Sequence, residues 1–372
     1  MSLIFLMEKT NVTSKITDLF PILDTHFKGK INRSRLKLMS MFVIALCKVQ
    51  TVGFEKLSKA FDSEALPSSS LRRIQRFIAD FILDADLIAK MIFSLLPEKE
   101  NLSLCIDRTN WKLGQADINI LMLGITYQGV AFPLLFKMLN KRGNSNTRER
   151  IELIDRFIRL FGDQCIDCLT ADREFIGDTW IKYLNDRKIR YYIRIKNNFL
   201  VQIPNKKDKI KVSWLFESCG GVGEFRHHSK GVKIGTQDCY ISGCKPRSKG
   251  NNPDFLIVIS FNKPEQAQIK YAERGQFETY FKSLKSSGFN LEETHLTDIN
   301  RLEILILLVT IAFIWCYKIG IFLHENIRSI SIKTHGRKEQ STFKYGLSYV
   351  VGVLLNSKNQ SRINIFEFLS CT

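Results

Sequence analysis

The stretch LEILILLVTIAFIWCYKIGIFL, residues 302–323, is apolar on every side of the helix it would form. A helix without a polar face has to be surrounded, either by lipid or by the core of a sizeable protein. Its length would suffice for a bilayer. Glu303 and Lys318 interrupt it, however, and nothing else in the chain reads as membranous. We therefore expect a buried core helix. At 372 residues, with 45% hydrophobic and 25% charged side chains, the chain is long enough to surround it and to form two or three domains. The opening MSLIFLMEKT has a short apolar run but no basic leader or cleavage site, so no secretory signal is expected.

Two aspartates stand at the ends of apolar runs. In NLSLCIDRTNWKLG the run Leu102 to Ile106 leads into Asp107. In CIDCLTADREFIGDTW a second run leads into Asp172, and a helical pattern follows. Both runs read as short strands. A carboxylate at the end of a buried strand needs an ion pair, hydrogen bonds or a metal ion, because burying it alone is too costly. Taken singly, each aspartate has a cation at hand in its neighbour, Arg108 or Arg173, or a turn to cap.

A third carboxylate lies far downstream. On one helix, YAERGQFETYFKSLKSSGFNLEETH would carry Tyr271, Arg274, Glu278, Lys282 and Lys285 within a sector of roughly 80°, at about 100° per residue. A lone carboxylate among cations and a phenol is an odd packing surface but suits a phosphodiester. The cations and phenol hold phosphate oxygens while the carboxylate holds a metal ion. The alternative is a solvated face with an ordinary Glu278–Lys282 pair. With Asp107 and Asp172, Glu278 makes a hard-oxygen set suited to magnesium or manganese.

The spacing Tyr271, two residues, Arg274, three residues, Glu278, six residues, Lys285 resembles the YREK signature of the IS-four family of insertion-sequence transposases. IDRTNWKLG, LTADREFIG, RYYIRIKNN (190–198), GFNLEETH (288–295) and HGRKEQSTFKYGL (335–347) resemble further stretches of that family, in the expected order. The resemblance implies a DDE catalytic core on an α/β, ribonuclease-H-like mixed sheet flanked by helices, with a β-rich insertion. It implies that Asp107, Asp172 and Glu278 are catalytic and hold two Mg²⁺ ions, with Mn²⁺ able to substitute. Tyr271, Arg274 and Lys285, with Lys282 beside them, would hold the DNA end. The implied reaction is cut-and-paste transposition on double-stranded DNA, with terminal inverted repeats and target DNA as partners and a homodimer in the synaptic complex. An apolar helix just after the signature, where residues 302–323 lie, is also implied.

The chain departs from the family at Gly275, where tryptophan is usual, and at Phe277, where an aliphatic residue is usual. The chemical groups are intact, so an active transposase is expected. A catalytically impaired DNA-binding descendant and a nuclease of the same fold are the alternatives.

Along the chain, residues 1–100 read as a helical DNA-binding domain. FEKLSKAF and SSSLRRIQRFI suggest two helices joined by a turn at Ser63–Ser69 that contains Pro67, with Ser68 to Ser70 capping the second and Arg72, Arg73 and Arg76 facing DNA. Residues 101–196 and 266–325 read as the two parts of the catalytic core, 197–265 as the β-rich insertion, and 326–372 as a basic helical tail. Lys245, Arg247 and Lys249 of the insertion are candidates for backbone contacts.

The formal charge of +18 agrees with a polyanionic partner. Nine scattered cysteines, an odd number, argue for reduced thiols in a cytoplasmic setting. With DNA as the implied partner, a nucleoid-associated protein without a membrane partner is expected. Cys219, His227, His228, Cys239 and Cys244 fit no familiar zinc module.

Overall fold

In the computed structural model the described residues are 19–113, 116–127, 130–217, 223–245, 255–285, 288–334, 336–356 and 363–370. The N-terminal apolar run, Cys219, Arg247 and Lys249 lie outside them. The first described elements are helices: α1 (Leu19–Phe27), α2 (Arg33–Val49), α3 (Phe54–Lys59), α4 (Pro67–Asp80) and α5 (Ala85–Ser94). Helix α2 begins where the Asn32 side chain accepts from the Ser34 N–H at 2.8 Å, an ordinary N-cap. Helix α4 begins differently from expectation. Pro67 occupies its first turn and no side chain caps it, so proline's preset φ rather than Ser68–Ser70 fixes the start. Burial of Ser70, Ile74, Phe77 and Ile78 on one face leaves Arg72, Arg73 and Arg76 exposed on the other.

From residue 102 the apolar runs form strands. β1 (Leu102–Leu113), β2 (Ala116–Tyr127) and β3 (Val130–Met138) come first. Next are α6 (Thr147–Phe161), β4 (Ile166–Ala171), α7 (Asp178–Asp186) and β5 (Tyr191–Ile195). Helix α6 is started by a reciprocal Asn146–Glu149 capping box. Six more strands follow: β6 (Leu200–Gln202), β7 (Lys209–Lys211), β8 (Arg226–His227), β9 (Val232–Ile234), β10 (Gln237–Cys244) and β11 (Leu256–Ser260). Among the described residues these strands make one sheet in the order β3-β2-β1-β4-β5-β11-β10-β9-β6-β7, with β8 paired to β10. β4 runs parallel to both β1 and β5, whereas β2 and β3 are antiparallel. The order β3-β2-β1-β4-β5 with its helices is the ribonuclease-H-like α/β arrangement expected. The strands of segment 197–265 extend this sheet, β11 pairing antiparallel with β5. Pro133 sits on the edge strand β3, where its missing N–H is tolerated, beside a register shift at Leu123/Gly124.

The remaining helices are α8 (Ala267–Ala272), α9 (Gln276–Leu284), α10 (Ile299–Asn326) and α11 (Thr342–Leu355). The chain divides into two compact units. One falls within Met1–Leu96, Trp111–Ala116 and Thr279–Thr372, the other within Pro97–Asn110 and Asp117–Glu278. In the first unit α10 is the expected core helix. It is long and apolar enough to cross a membrane, yet 89% of its most apolar window is buried by protein. Helix α11 crosses it through two glycines: a Cβ on Gly346 would lie 1.8 Å from the Cys316 carbonyl oxygen, and one on Gly320 2.0 Å from that of Thr342. Trp315 of α10 donates its Nε1–H to the Ile365 carbonyl at 2.6 Å.

The signature segment is not one uninterrupted α-helix. A 3₁₀ turn, Glu273–Gly275, joins α8 to α9, and Ala272, Glu273 and Gln276 keep right-handed angles with ψ near −29°. Gly275, a weak helix former, lies at this turn. The space where a Cβ would stand on Gly275 is open, with nothing within 4 Å, so no void marks the missing ring. Phe277 is fully buried and reaches the bare backbone of Gly124 in β2. These two glycines should respond oppositely. Gly275→Ala should raise stability by about 0.5–1 kcal/mol. Gly124→Ala, whose Cβ would meet the Phe132 carbonyl oxygen at 2.4 Å, should lower it by about 1–3 kcal/mol. Urea unfolding midpoints measure both; loss of stability in Gly275→Ala would contradict the open site.

Candidate active site

The parallel pairing of β1 with β4 aligns Ile106 with Ala171, so Asp107 and Asp172 follow as neighbours at the end of β4. This is where open α/β sheets place their ligands. Asp107 is nearly buried and accepts the Arg108 N–H at 2.8 Å. The Arg108 side chain does not pair with it. Its fork grips Glu174 at 2.9 and 3.0 Å, and its Nη groups also donate to Asn119 at 3.1 Å and Asn144 at 3.2 Å. Arg150, buried in α6, donates to the Ser145 hydroxyl at 2.9 Å, to the Ser145 carbonyl at 2.6 Å and to the Glu174 carbonyl at 3.0 Å. The loop after β4, which carries Asp172, is therefore fastened from both sides. Sequence reading missed Glu174, Arg150, Asn119 and Asn144. The available signal was a second carboxylate two residues beyond Asp172 in ADREF.

Helices α8 and α9 bring the signature to the same strands. Tyr271 packs with Cys168, Tyr192, Val258 and Ala267, and its hydroxyl lies 3.3 Å from Asp172 Oδ1. Lys270 bonds Asp167 at 2.9 Å and Ser103 at 3.0 Å; Glu273 accepts from Thr126 at 3.0 Å. Arg274 donates from Nη1 to Asp107 Oδ2 at 3.2 Å and from Nη2 to Glu278 Oε1 at 3.5 Å, its guanidinium 5.7 Å from the Tyr271 ring centre. Thus Asp107, Asp172 and Glu278 are linked through Tyr271 and Arg274. Glu278 is the most open, with 58% of its side chain exposed against 15% for Arg274. It pairs with Arg274 rather than with Lys282. In the other unit, Lys285 lies over Trp111, 5.3 Å from its ring centre, and Lys282 is exposed.

Among the described residues no three His, Cys, Asp or Glu side chains are gathered to hold a metal ion. The donor chemistry nevertheless fits one. The three groups supply hard oxygens, and burial pushes the Asp107 carboxyl up to about 6, against the opposing pull of the Arg108 N–H and Arg274. Its negative charge is thus only partly compensated by the protein. Burial likewise pushes the Tyr271 phenol up to about 12, so it remains a donor.

The raised Asp107 value has a definite sign for stability. The metal-free fold favours the protonated carboxyl, so this contribution is complete below the ordinary value of 3.8 and is lost as pH rises through about 6. Asp107→Asn cannot ionise. It should cut the stability lost between about pH 5 and about pH 7.5 by on the order of 1 kcal/mol. Urea unfolding in a chelator checks this; an unchanged pH profile would mean that the carboxyl is ionised throughout.

A search of the curated proteins finds no match. The family model described as the transposase DDE domain matches residues 100–315, more than half of the chain. Because that match covers more than half of the chain, including all the described strands and both aspartates, the chain belongs to the transposase DDE domain family.

Proposed function

We propose that this transposase carries out metal-dependent cut-and-paste movement of an insertion sequence of the IS-four type. Asp107, Asp172 and Glu278 serve as its catalytic carboxylates. The observation that carries the reading is the register of β1 on β4, which makes neighbours of two aspartates 65 residues apart, together with the Arg274 bridge from Asp107 to Glu278. The three carboxylates would hold Mg²⁺, two ions in the family-implied arrangement, with Mn²⁺ able to replace it. Bound ions would supply activation of the attacking oxygen and stabilisation of the leaving one.

The chain's own residues do the rest. Tyr271, Arg274, Lys282 and Lys285 hold phosphate oxygens at the transposon end, Arg by its planar fork and Lys as a point charge. Arg72, Arg73 and Arg76, exposed on α4, contact the DNA backbone within the N-terminal helical domain. Terminal inverted repeats and target DNA are the partners, two protomers form the synaptic complex, and the protein works in the cytoplasm on the nucleoid. Burial of α10 supports the reading without a membrane partner.

Glu278→Ala should lower Mg²⁺-dependent cleavage of a labelled terminal-repeat duplex by at least about a thousandfold while leaving end binding largely intact. Cleavage at the wild-type rate would remove Glu278 from the site. Replacing Arg72, Arg73 and Arg76 together by Ala should reduce the slope of log affinity against log salt by about 2–3. An unchanged slope would place those arginines away from DNA.

A further inference from the structure

The sequence pattern assigns Arg274 to phosphate, yet in the structure its guanidinium lies on carboxylates. Its Nη1 donates to Asp107 at 3.2 Å and its Nη2 to Glu278 at 3.5 Å. These are groups that the proposed function gives to a divalent ion. A guanidinium and a metal ion seek the same carboxylate oxygens, so occupancy by one opposes the other. The Arg274 position is also incomplete. Nε is buried without a hydrogen-bond partner, although the fork can use its Nε edge on a phosphate. The Glu278 link is long and largely exposed, hence readily broken. The Tyr271 ring beside the guanidinium offers a face that favours a cation, while Tyr271 itself stays anchored in the core.

We propose that Arg274 is a displaceable counter-cation: it neutralises Asp107 and Glu278 until a divalent ion loads onto them, and it is then released to grip a phosphate of the DNA end. The inference rests on the carboxylate reading above and adds an order of events. The metal is needed to free the arginine that holds the DNA.

The test uses the full chain without DNA and measures Mn²⁺ affinity from the electron paramagnetic resonance signal of free Mn²⁺, alongside the metal-free melting temperature. Wild type, Arg274→Gln, Arg274→Lys and Asp107→Asn are compared. Arg274→Gln should bind Mn²⁺ about tenfold more tightly than wild type, the scale of one charge-assisted hydrogen bond removed from competition. Its metal-free form should melt several degrees lower. Equal or weaker Mn²⁺ binding by Arg274→Gln overturns the proposal. Should that variant fail to fold, Arg274→Lys decides, because an ammonium on a shorter stem cannot bridge both carboxylates: tighter binding supports the proposal and unchanged binding overturns it. The two readings fail separately. If Asp107→Asn loses Mn²⁺ while the Arg274 variants match wild type, only the counter-cation falls. If Asp107→Asn binds as wild type does, the metal site falls and takes the counter-cation with it.

Discussion

Two strands running side by side impose the central problem of this protein. In a parallel pair, matched residues stand about 4.8 Å apart, and the β1–β4 register makes neighbours of Asp107 and Asp172. Burial of Asp107 opposes its ionisation, and the negative charge of Asp172 alongside adds to the cost. Much of the surrounding structure answers that cost. A backbone N–H and a guanidinium meet Asp107, and a phenol meets Asp172.

The signature segment reaches that centre because most of its turns are fastened to the sheet. Lys270 ties α8 to Asp167 and Ser103, Tyr271 fills an apolar cluster, Glu273 accepts from Thr126, and Phe277 enters the space left by Gly124. Glu278 is the residue after that buried phenylalanine, so packing brings it within reach of Arg274. In the other unit, α9 ends on α10, where Tyr280 bonds Thr310 at 3.1 Å and packs edge-on against Phe313. The apolar α10 is thus a framework against which the end of the signature helix is set.

Much of the architecture was legible in local pattern. The apolar runs before Asp107 and Asp172, the amphipathic α6 and the continuously apolar α10 each state their own element, because strand and helix periodicities depend on near neighbours. The residue types of the candidate site could be listed for the same reason, through the spacing of Tyr271, Arg274 and Glu278. Local reading went astray where two local rules competed: at α4 the proline's preset φ outranked the serines as a starting signal, and at Gly275 the helix tightened into a 3₁₀ turn.

By itself, the chain's order of residues determined which segments become strands or helices and which functional groups are available, since those depend on residues a few positions apart. Only the tertiary structure decided who meets whom. Asp107 and Arg274 are 167 positions apart, Arg108 passes over its adjacent aspartate for Glu174, and Arg274 sits on carboxylates instead of facing outward. Those choices follow from strand register and helix docking, which bring distant charges together in a place of low polarity where each must find a partner.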